Sequence, residues 1–279
     1  MKHRFGWALL GLILSLAACG SPSVVPTPTT APVSVTPQTI SFVYPDALAP
    51  LARAWISNYQ RTAPSVEVVS LERADPLAWQ VLTRGEVDVA AVTWSPVEPV
   101  TQTWRAAAAR GGLAVVVNPQ NGLPGVTVDQ LRDIFQGRTA SWEALGGLPG
   151  TPVLVSREDA SGDARFFQRE VMGDLPVALT AIIAPNTEAM LQFVGERPLG
   201  IGYLSAARLD ERVRPLAIEG VPPSPETLRT RAYPLTRDVE LVVKGEPEGA
   251  VRDFVQWVLG PEGQAVTASQ GWVTVASQP

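Results

Sequence analysis

The sequence predicts an α/β fold in which strands and helices alternate along most of the chain. Apolar runs of strand length, such as residues 87–92, alternate with segments whose apolar residues recur at helical spacing, such as residues 47–61. These runs are mostly apolar, which is typical of parallel strands buried on both faces. About 240 residues follow residue 39, enough for a large buried core. Together these observations predict a mostly parallel sheet flanked by helices.

The first half of this region is predicted to hold four strands and three helices. Residues 39–44 form the first strand, because Ile40, Phe42 and Tyr44 share one face at a spacing of two. In the following helix, over residues 47–61, Leu51 and Trp55 belong to one apolar stripe. The remaining elements are strands at 66–71, 87–92 and 113–118 and helices at 76–83, closed by Gly85, and at 100–110.

The second half continues in the same style. Helices are predicted at 128–135, 164–172, 187–194 and 249–259, strands at 153–155, 200–204 and 240–243, and a proline-rich surface loop at 221–225. Ligands of such sheets bind beyond the carboxyl ends of the strands. We therefore expect a site among the loops after Tyr44, Leu71, Val92 and Val155.

The first 19 residues predict an export signal that ends in a lipid-bearing cysteine. Lys2 and Arg4 precede an apolar run over 5–16, which is too short to span a bilayer. Leu16-Ala17-Ala18-Cys19 resembles a lipobox, which implies cleavage before Cys19 and lipid attachment to its sulfur. A signal peptide with an incidental cysteine is the alternative. The mature lipoprotein is expected outside the cytoplasm, anchored to the cell membrane.

Residues 20–39 are predicted to form a disordered tether between this anchor and the folded region. The segment has five prolines among Ser, Thr and Val and contains no charged residue. It cannot bury enough surface to fold, and proline favours extended conformations.

The composition of the mature chain excludes several kinds of site. Without Lys2 and Arg4, 20 basic residues face 27 acidic ones, a net charge of −7 that disfavours nucleic acid as a partner. The only histidine is His3 and the only cysteine is Cys19, so a Ser-His-Asp triad, a Cys-His pair and histidine or thiolate zinc sites are impossible. We predict a binding protein, not an enzyme, with no metal and no cofactor. An enzyme that uses only carboxylates, or a metal site with only oxygen ligands, remains an alternative, although no spacing in the sequence points to either.

Five segments, taken in order, resemble the substrate-binding proteins of phosphate ABC importers, a family of type II periplasmic binding proteins. They cover about 160 residues and include TVDQLRDIFQGRTASWEALGG at 127–147. The others are residues 114–118, 200–204, 233–237 and 254–275. The resemblance implies a two-lobed fold with a hinge: residues 40–117 plus 236–279 in the first lobe, and residues 118–235 in the second. It also implies a monomer that delivers its ligand to an ABC permease and ATPase.

Most of the large apolar residues and glycines in these segments are expected to serve the fold and not the ligand. Phe135, Trp142, Leu145 and Tyr203 are predicted as core residues, and the adjacent Gly146 and Gly147 as turn residues.

The segment over 156–164 carries the chemistry expected of an anion site. It follows a strand and opens a helix, where free N–H groups attract anions. Arg157 offers a planar two-pronged donor, Ser161 a hydroxyl, and Gly162 a close approach to the backbone. The resemblance implies that Arg157, Ser161 and Gly162 bind ligand, with Asp163 in a position that the family gives to threonine. In the alternative, Ser161 or Asp163 only caps the helix and Arg157 pairs with acidic neighbours at the surface.

The first lobe departs from the family's pattern. Pro45-Asp46-Ala47 stands in place of a loop rich in small residues, Glu72-Arg73-Ala74-Asp75 replaces a second such loop, and Thr93-Trp94 follows the third strand. We expect Asp46, Ala47, Thr93 and Trp94 to form the opposite wall of the site. The resemblance also implies a carboxylate that accepts the proton of hydrogen phosphate, and Asp163 or Asp46 is the candidate. Asp88 is expected to stabilise its strand and loop.

These observations favour a lipid-anchored solute-binding protein that captures a small oxyanion, phosphate above all, for an ABC transporter. One alternative is a larger or organic anion, which Trp94 beside the pocket would suit. Another is a sensor or surface lipoprotein that keeps the fold without strong ligand capture. An enzyme with Ser161 as nucleophile lacks a general base within reach in the sequence.

Overall fold

The computed structural model of the chain describes residues 38–96 and 102–275. The predicted signal peptide, the lipidation at Cys19 and nearly all of the predicted tether lie outside these ranges. Within them, no helix has both the length and the apolar character needed to cross a bilayer.

The strands of the described chain are numbered in chain order. They are β1 (Gln38–Tyr44), β2 (Val66–Glu72), β3 (Val89–Val92), β4 (Thr103–Val117), β5 (Gly125–Val126), β6 (Val153–Arg157), β7 (Ile182–Ala184), β8 (Gly200–Ser205), β9 (Arg214–Pro215), β10 (Ala217–Ile218) and β11 (Thr236–Lys244).

The α-helices are numbered in the same way. They are α1 (Ala49–Thr62), α2 (Asp75–Arg84), α3 (Val128–Phe135), α4 (Gly162–Phe167), α5 (Thr187–Gly195), α6 (Pro225–Arg229), α7 (Gly249–Leu259) and α8 (Pro261–Ser269). A π-helical turn at Gln168–Met172 continues α4, and short 3-10 helices lie at Asp46–Leu48, Trp142–Leu145 and Ala206–Arg208.

Local sequence signals set several of these boundaries. Helix α2 ends at Gly85, whose φ of 75° is a left-handed conformation that glycine adopts without strain. Helix α3 begins with a capping box, in which the Thr127 hydroxyl accepts the Gln130 N–H at 3.1 Å and the Gln130 side chain accepts the Thr127 N–H at 2.8 Å.

The strands form one nine-stranded mixed sheet and a small two-stranded one. The order along the large sheet is β2-β1-β3-β11-β4-β8-β6-β7, with β9 paired to β4. Strand β1 runs parallel to β2 and β3, and β6 runs parallel to β7 and β8. The antiparallel strands β11 and β4 lie between these two parallel groups. The predicted α/β class is confirmed.

Strand β4 corrects the helix that the sequence predicted over residues 100–110. Alanine-rich 106–109 has high helix propensity, but residues 103–112 pair with β11 and residues 113–117 pair with β8. Pairing of this segment with β11 overrides the local preference. Gly111 lies where a Cβ would come within 2.5 Å of the Trp272 ring, so the strand requires glycine there.

Two large groups of buried side chains each include residues of β4. One contains Phe42, Trp55 and Phe254, and the other contains Phe135 and Trp142. The first group draws on residues 40–109 and 239–272, and the second on residues 113–235 together with Val273. The lobe boundaries remain a prediction.

The residues predicted to serve the core do so. Phe135, Trp142 and Tyr203 are at most 1% exposed, and Leu145 packs against the same cluster. Gly146 has a φ of 86° and ends the turn after Leu145.

Candidate functional site

A cavity of about 240 Å³ lies at the carboxyl ends of the parallel strands. The loops that follow β1, β2, β3, β6 and β7 all contribute to its wall. Four of these five loops are the ones at which the sequence predicted a site. The lining residues are Pro45, Asp46, Ala47, Glu72, Arg73, Ala74, Asp75, Thr93, Arg157, Glu158, Ser161, Gly162, Asp163, Pro185 and Asn186.

Most of the predicted site residues are brought together in this cavity. Asp46, Ala47 and Thr93 line it from the loops after β1 and β3, and Arg157, Ser161, Gly162 and Asp163 line it from the end of β6 and the start of α4. Trp94 is not among the residues that line this cavity; it lines a second cavity of about 270 Å³. The Arg165 guanidinium lies 5.0 Å from the centre of the Trp94 ring. The Trp94 N–H donates to Asp75 Oδ1 at 3.0 Å.

Arg157 is buried at the base of the cavity, with 3% of its surface exposed. Its Nη2 donates to Asp46 Oδ1 at 3.2 Å and to the Pro185 carbonyl at 3.4 Å. Its Nη1 lies 3.7 Å from Asp163 Oδ2, and neither Nε nor Nη1 has a hydrogen-bond partner. Burial alone would lower the pKa of Arg157, but Asp163 and Asp46 raise it, so the guanidinium stays charged. The alternative of an exposed surface ion pair does not describe this side chain.

Ser161 and Asp163 combine the capping role with a position at the cavity. The Ser161 hydroxyl accepts the Asp163 N–H at 3.2 Å, so Ser161 is the N-cap of α4. Asp163 is 2% exposed, and its Oδ1 accepts a hydrogen bond from Arg237 of β11. Asp163 Oδ2 has no hydrogen-bond partner. Arg157, Asp163 and Arg237 therefore form a buried row of alternating charges.

Asp46 is an ionised carboxylate whose two oxygens are both engaged by the second lobe. Oδ1 accepts from Arg157, and Oδ2 accepts from the Thr187 N–H and the Thr187 hydroxyl, each at 2.8 Å. Burial alone would raise the pKa of Asp46, but Arg157 and the Thr187 hydrogen bonds outweigh it and lower the pKa. Asp46 thus has both oxygens engaged by N–H and O–H donors, which makes it a poor acceptor for a ligand's proton.

Asp75 is the site residue that the sequence did not single out. It is fully buried, and its Oδ1 accepts the Thr93 N–H at 2.5 Å and the Trp94 N–H at 3.0 Å. A Cβ on Gly162 would overlap Asp75 Oδ2, so this carboxyl reaches across the cavity to the start of α4. Burial raises the pKa of Asp75 to about 6, against the opposing effect of its hydrogen bonds.

The sequence contained only a weak signal for Asp75. An acidic residue beside proline in the first turn of a helix is common for reasons of helix stability alone. Asp75 is the first residue of α2 and precedes Pro76, so it matched that ordinary pattern. The sequence contained no signal for Arg237, because nothing in β11 indicates that its side chain contacts α4.

Asp88 stabilises its strand, as expected: its carboxylate accepts hydrogen bonds from the Ser41 N–H at 2.8 Å and the Ser41 hydroxyl at 2.6 Å.

The lining of the cavity is acidic although Arg157 is its central donor. Two arginines, Arg73 and Arg157, face five acidic residues, namely Asp46, Glu72, Asp75, Glu158 and Asp163. Within the described ranges, no group of three or more His, Cys, Asp or Glu side chains is arranged to hold a metal ion. Such a lining accepts a small anion at Arg157 only if a proton is shared between that anion and a nearby carboxyl.

Comparison with known proteins places this geometry in context. Residues 36–262 match the family model described as the PBP superfamily domain. The chain is 30% identical over 166 residues to the phosphate-binding protein PstS of Bacillus subtilis, covering 59% of this chain and 55% of that protein. It is 30% identical over 138 residues to PstS 2 of Streptococcus pneumoniae serotype 4, covering 46% and 47%. The chain spans about half the length of the curated relatives it matches.

Solved structures share the fold over a larger part of the chain. A putative phosphate ABC transporter substrate-binding protein with bound phosphate, from Clostridium perfringens, superposes with a TM-score of 0.80 at 22% identity, covering 85% of this chain and 100% of that one. An ABC-type phosphate transport receptor from Vibrio cholerae gives a TM-score of 0.75 at 21% identity, with the same coverage.

Proposed function

Because this chain belongs to the PBP superfamily domain family, we propose that it is a substrate-binding protein that captures phosphate for an ABC importer. The names of the similar proteins support this assignment, since they are phosphate-binding proteins and phosphate transport receptors. The proposal includes three expectations from the sequence: the protein binds phosphate, serves phosphate transport and has no enzymatic activity.

One observation carries the proposal at the level of residues. The buried, charged guanidinium of Arg157 retains Nε and Nη1 without hydrogen-bond partners at the wall of a small cavity. A buried unpartnered donor of this kind is costly, and an oxyanion supplies the acceptors that it lacks. Gly162 of the same wall, having no Cβ, lets the Asp75 carboxyl approach its backbone closely.

Asp75 supplies the proton-accepting carboxyl in place of Asp46 or Asp163. Its Oδ2 faces the wall that carries Gly162, and its raised pKa of about 6 means that it shares a proton readily near neutral pH. Hydrogen phosphate carries a proton that it can share with this carboxyl, whereas sulfate carries none. The site therefore favours phosphate over sulfate although both ions are tetrahedral.

The cellular setting belongs to the same proposal. An export signal followed by lipidation of Cys19 would hold a monomeric protein at the outer face of the cell membrane, in the periplasmic or equivalent space. There it would deliver phosphate to a membrane permease and its ATPase. Closure of two lobes about the β4–β11 pair is the motion that such delivery requires.

Titration calorimetry on phosphate-stripped protein tests the proposal. We expect heat and a rise in melting temperature with phosphate and neither with sulfate or molybdate. Arg157→Met should abolish phosphate binding, while Arg252→Met, which removes an exposed arginine on α7, should leave it unchanged. A wild-type protein that shows neither heat nor thermal shift with phosphate contradicts the proposal.

An organic anion is the second candidate, favoured by the absence of the small-residue loops after the first two strands. Trp94, which would suit such an anion, is not among the residues that line the cavity beside Arg157. Mass spectrometry of the small molecule retained after gentle purification separates the two: phosphate supports the proposed function, and an organic acid supports the alternative.

A further inference from the structure

We infer that Asp46 is a positioning residue that acts from the first lobe on Arg157 of the second, and that it aims the anion-binding donors only when the two lobes meet. The inference rests on the proposed function. It assigns Asp46 a role different from that of a ligand contact.

The hydrogen bonds of Arg157 divide its donors into two sets. Nη2 is held by Asp46 Oδ1 at 3.2 Å and by the Pro185 carbonyl at 3.4 Å. Nε and Nη1 have no hydrogen-bond partner and are buried. Because a guanidinium is planar and rigid, fixing Nη2 also fixes the directions of the Nε and Nη1 donors.

Asp46 is itself fixed by groups of the second lobe. Oδ2 accepts from the N–H and the hydroxyl of Thr187, both at 2.8 Å, at the first residue of α5. The Asp46 backbone carbonyl accepts from Arg208 Nη1 at 3.1 Å. All of these partners lie between β6 and β9, whereas Asp46 follows β1. The carboxylate can hold Arg157 in this orientation only while the loop after β1 touches α5.

An ionised carboxylate with both oxygens engaged offers no donor to an anion. Its charge would repel an anion if it were only a neighbour of the binding site. A net gain for binding therefore has to come from the orientation that Asp46 imposes on Arg157, and this gain must exceed the repulsion. Whether removing the Asp46 charge weakens or strengthens phosphate binding therefore tests the inference directly.

The experiment compares Asp46→Asn with Asp88→Asn in the full chain. Asp88 accepts an N–H and a hydroxyl within the first lobe, as Asp46 does from Thr187, but it does not line the cavity. We expect Asp46→Asn to weaken phosphate binding about ten-fold or more, and Asp88→Asn to leave the affinity unchanged. In phosphate-free protein, hydrogen exchange of the Thr187 amide should accelerate in Asp46→Asn and not in Asp88→Asn.

A second variant approaches the same contact from the other side. Thr187→Val removes only the hydroxyl that donates to Asp46, with little change in shape, and should give a smaller loss of phosphate affinity than Asp46→Asn. It also tests the inference if Asp46→Asn fails to fold.

The outcomes separate this inference from the proposed function. A wild-type protein that does not bind phosphate overturns the proposed function and the role of Arg157 together. A wild-type protein that binds phosphate while Asp46→Asn binds as tightly overturns the positioning role alone. Tighter binding by Asp46→Asn overturns it as well, because the carboxylate would then be acting as a competitor of the anion.

Discussion

Two carboxyl groups line the same cavity in opposite electrostatic environments. Asp46 is held ionised by Arg157 and by the Thr187 hydrogen bonds, which lower its pKa. Asp75 is buried with hydrogen bonds but without a cation in direct contact, and burial raises its pKa to about 6. At the residue scale, this difference decides which carboxyl can share a proton with a ligand and which can only orient an arginine.

The raised pKa of Asp75 predicts how stability depends on pH. Between about 4 and 6 the folded protein holds a proton on Asp75 that the unfolded chain has lost, so stability falls as pH rises through this window. A shift from 3.8 to about 6 corresponds to a loss of up to about 3 kcal/mol of unfolding free energy. Urea unfolding of wild type and Asp75→Asn in phosphate-free buffer from pH 4 to 7.5 measures this loss of unfolding free energy. The difference in unfolding free energy between the two should change across the window, and a constant difference would contradict the prediction.

At the scale of elements, strand β4 shows how pairing decides what local sequence leaves open. Its alanine-rich half favours a helix by propensity, yet Ala108 and Ala109 are completely buried in the sheet. Small side chains there allow the aromatic ring of Trp272 to pack directly on the strand at Gly111. The element at the junction of the lobes is thus specified by the close fit of its neighbours.

Gly111→Ala tests this account of β4. The added Cβ would meet two Trp272 ring carbons at 2.5 and 2.8 Å, and the buried ring has little room to move. We expect a loss of about 1–3 kcal/mol of unfolding free energy in urea. Gly122→Ala is the matched control, because a Cβ there has no heavy atom within 4 Å. Equal stability of the two variants would show that Trp272 does not constrain the strand.

At the scale of the whole molecule, the site is held together by charges that come from distant parts of the chain. Arg237 of β11 contacts Asp163 of α4, and Asp163 Oδ2 lies 3.7 Å from Arg157 at the end of β6. Asp46 adds a further link from the loop after β1 to Arg157. Arg157 is thereby linked to the loop after β1 and, through Asp163, to β11.

Removing one charge of the Arg237–Asp163 pair should destabilise the protein more than removing both charges together. Arg237→Met leaves Asp163 buried without its nearest cation, and we expect a loss of about 3–5 kcal/mol of unfolding free energy. The double variant Arg237→Met with Asp163→Asn should lose less than the sum of the two single variants, because no unpaired charge remains. A double-mutant cycle by urea unfolding measures the coupling. Additive losses would mean that the pair contributes nothing to holding β11 against α4.

Several features of the site followed from the sequence. Apolar runs predicted the strands, and the rule that ligands bind at strand ends predicted the loops after Tyr44, Leu71, Val92 and Val155, all of which reach the cavity. Arg157, Ser161 and Gly162 were expected there because a strand followed by a helix start is recognisable from neighbouring residues alone. Asp75 and Trp94 show what the sequence could not predict. The loops that contain them were expected at the site, but the direction of the backbone after each strand decides which side chain lines the cavity.

The sequence by itself determined the class of fold and predicted the loops and the arginine of the candidate site, because hydrophobic spacing and strand-to-helix turns are local properties. Only the tertiary structure decided that Asp75 faces Gly162, that Arg237 anchors Asp163 and that Asp46 holds Arg157. Those contacts join residues far apart in the chain, and their effects on charge depend on burial and distance. Burial and distance exist only once the loops have been brought together.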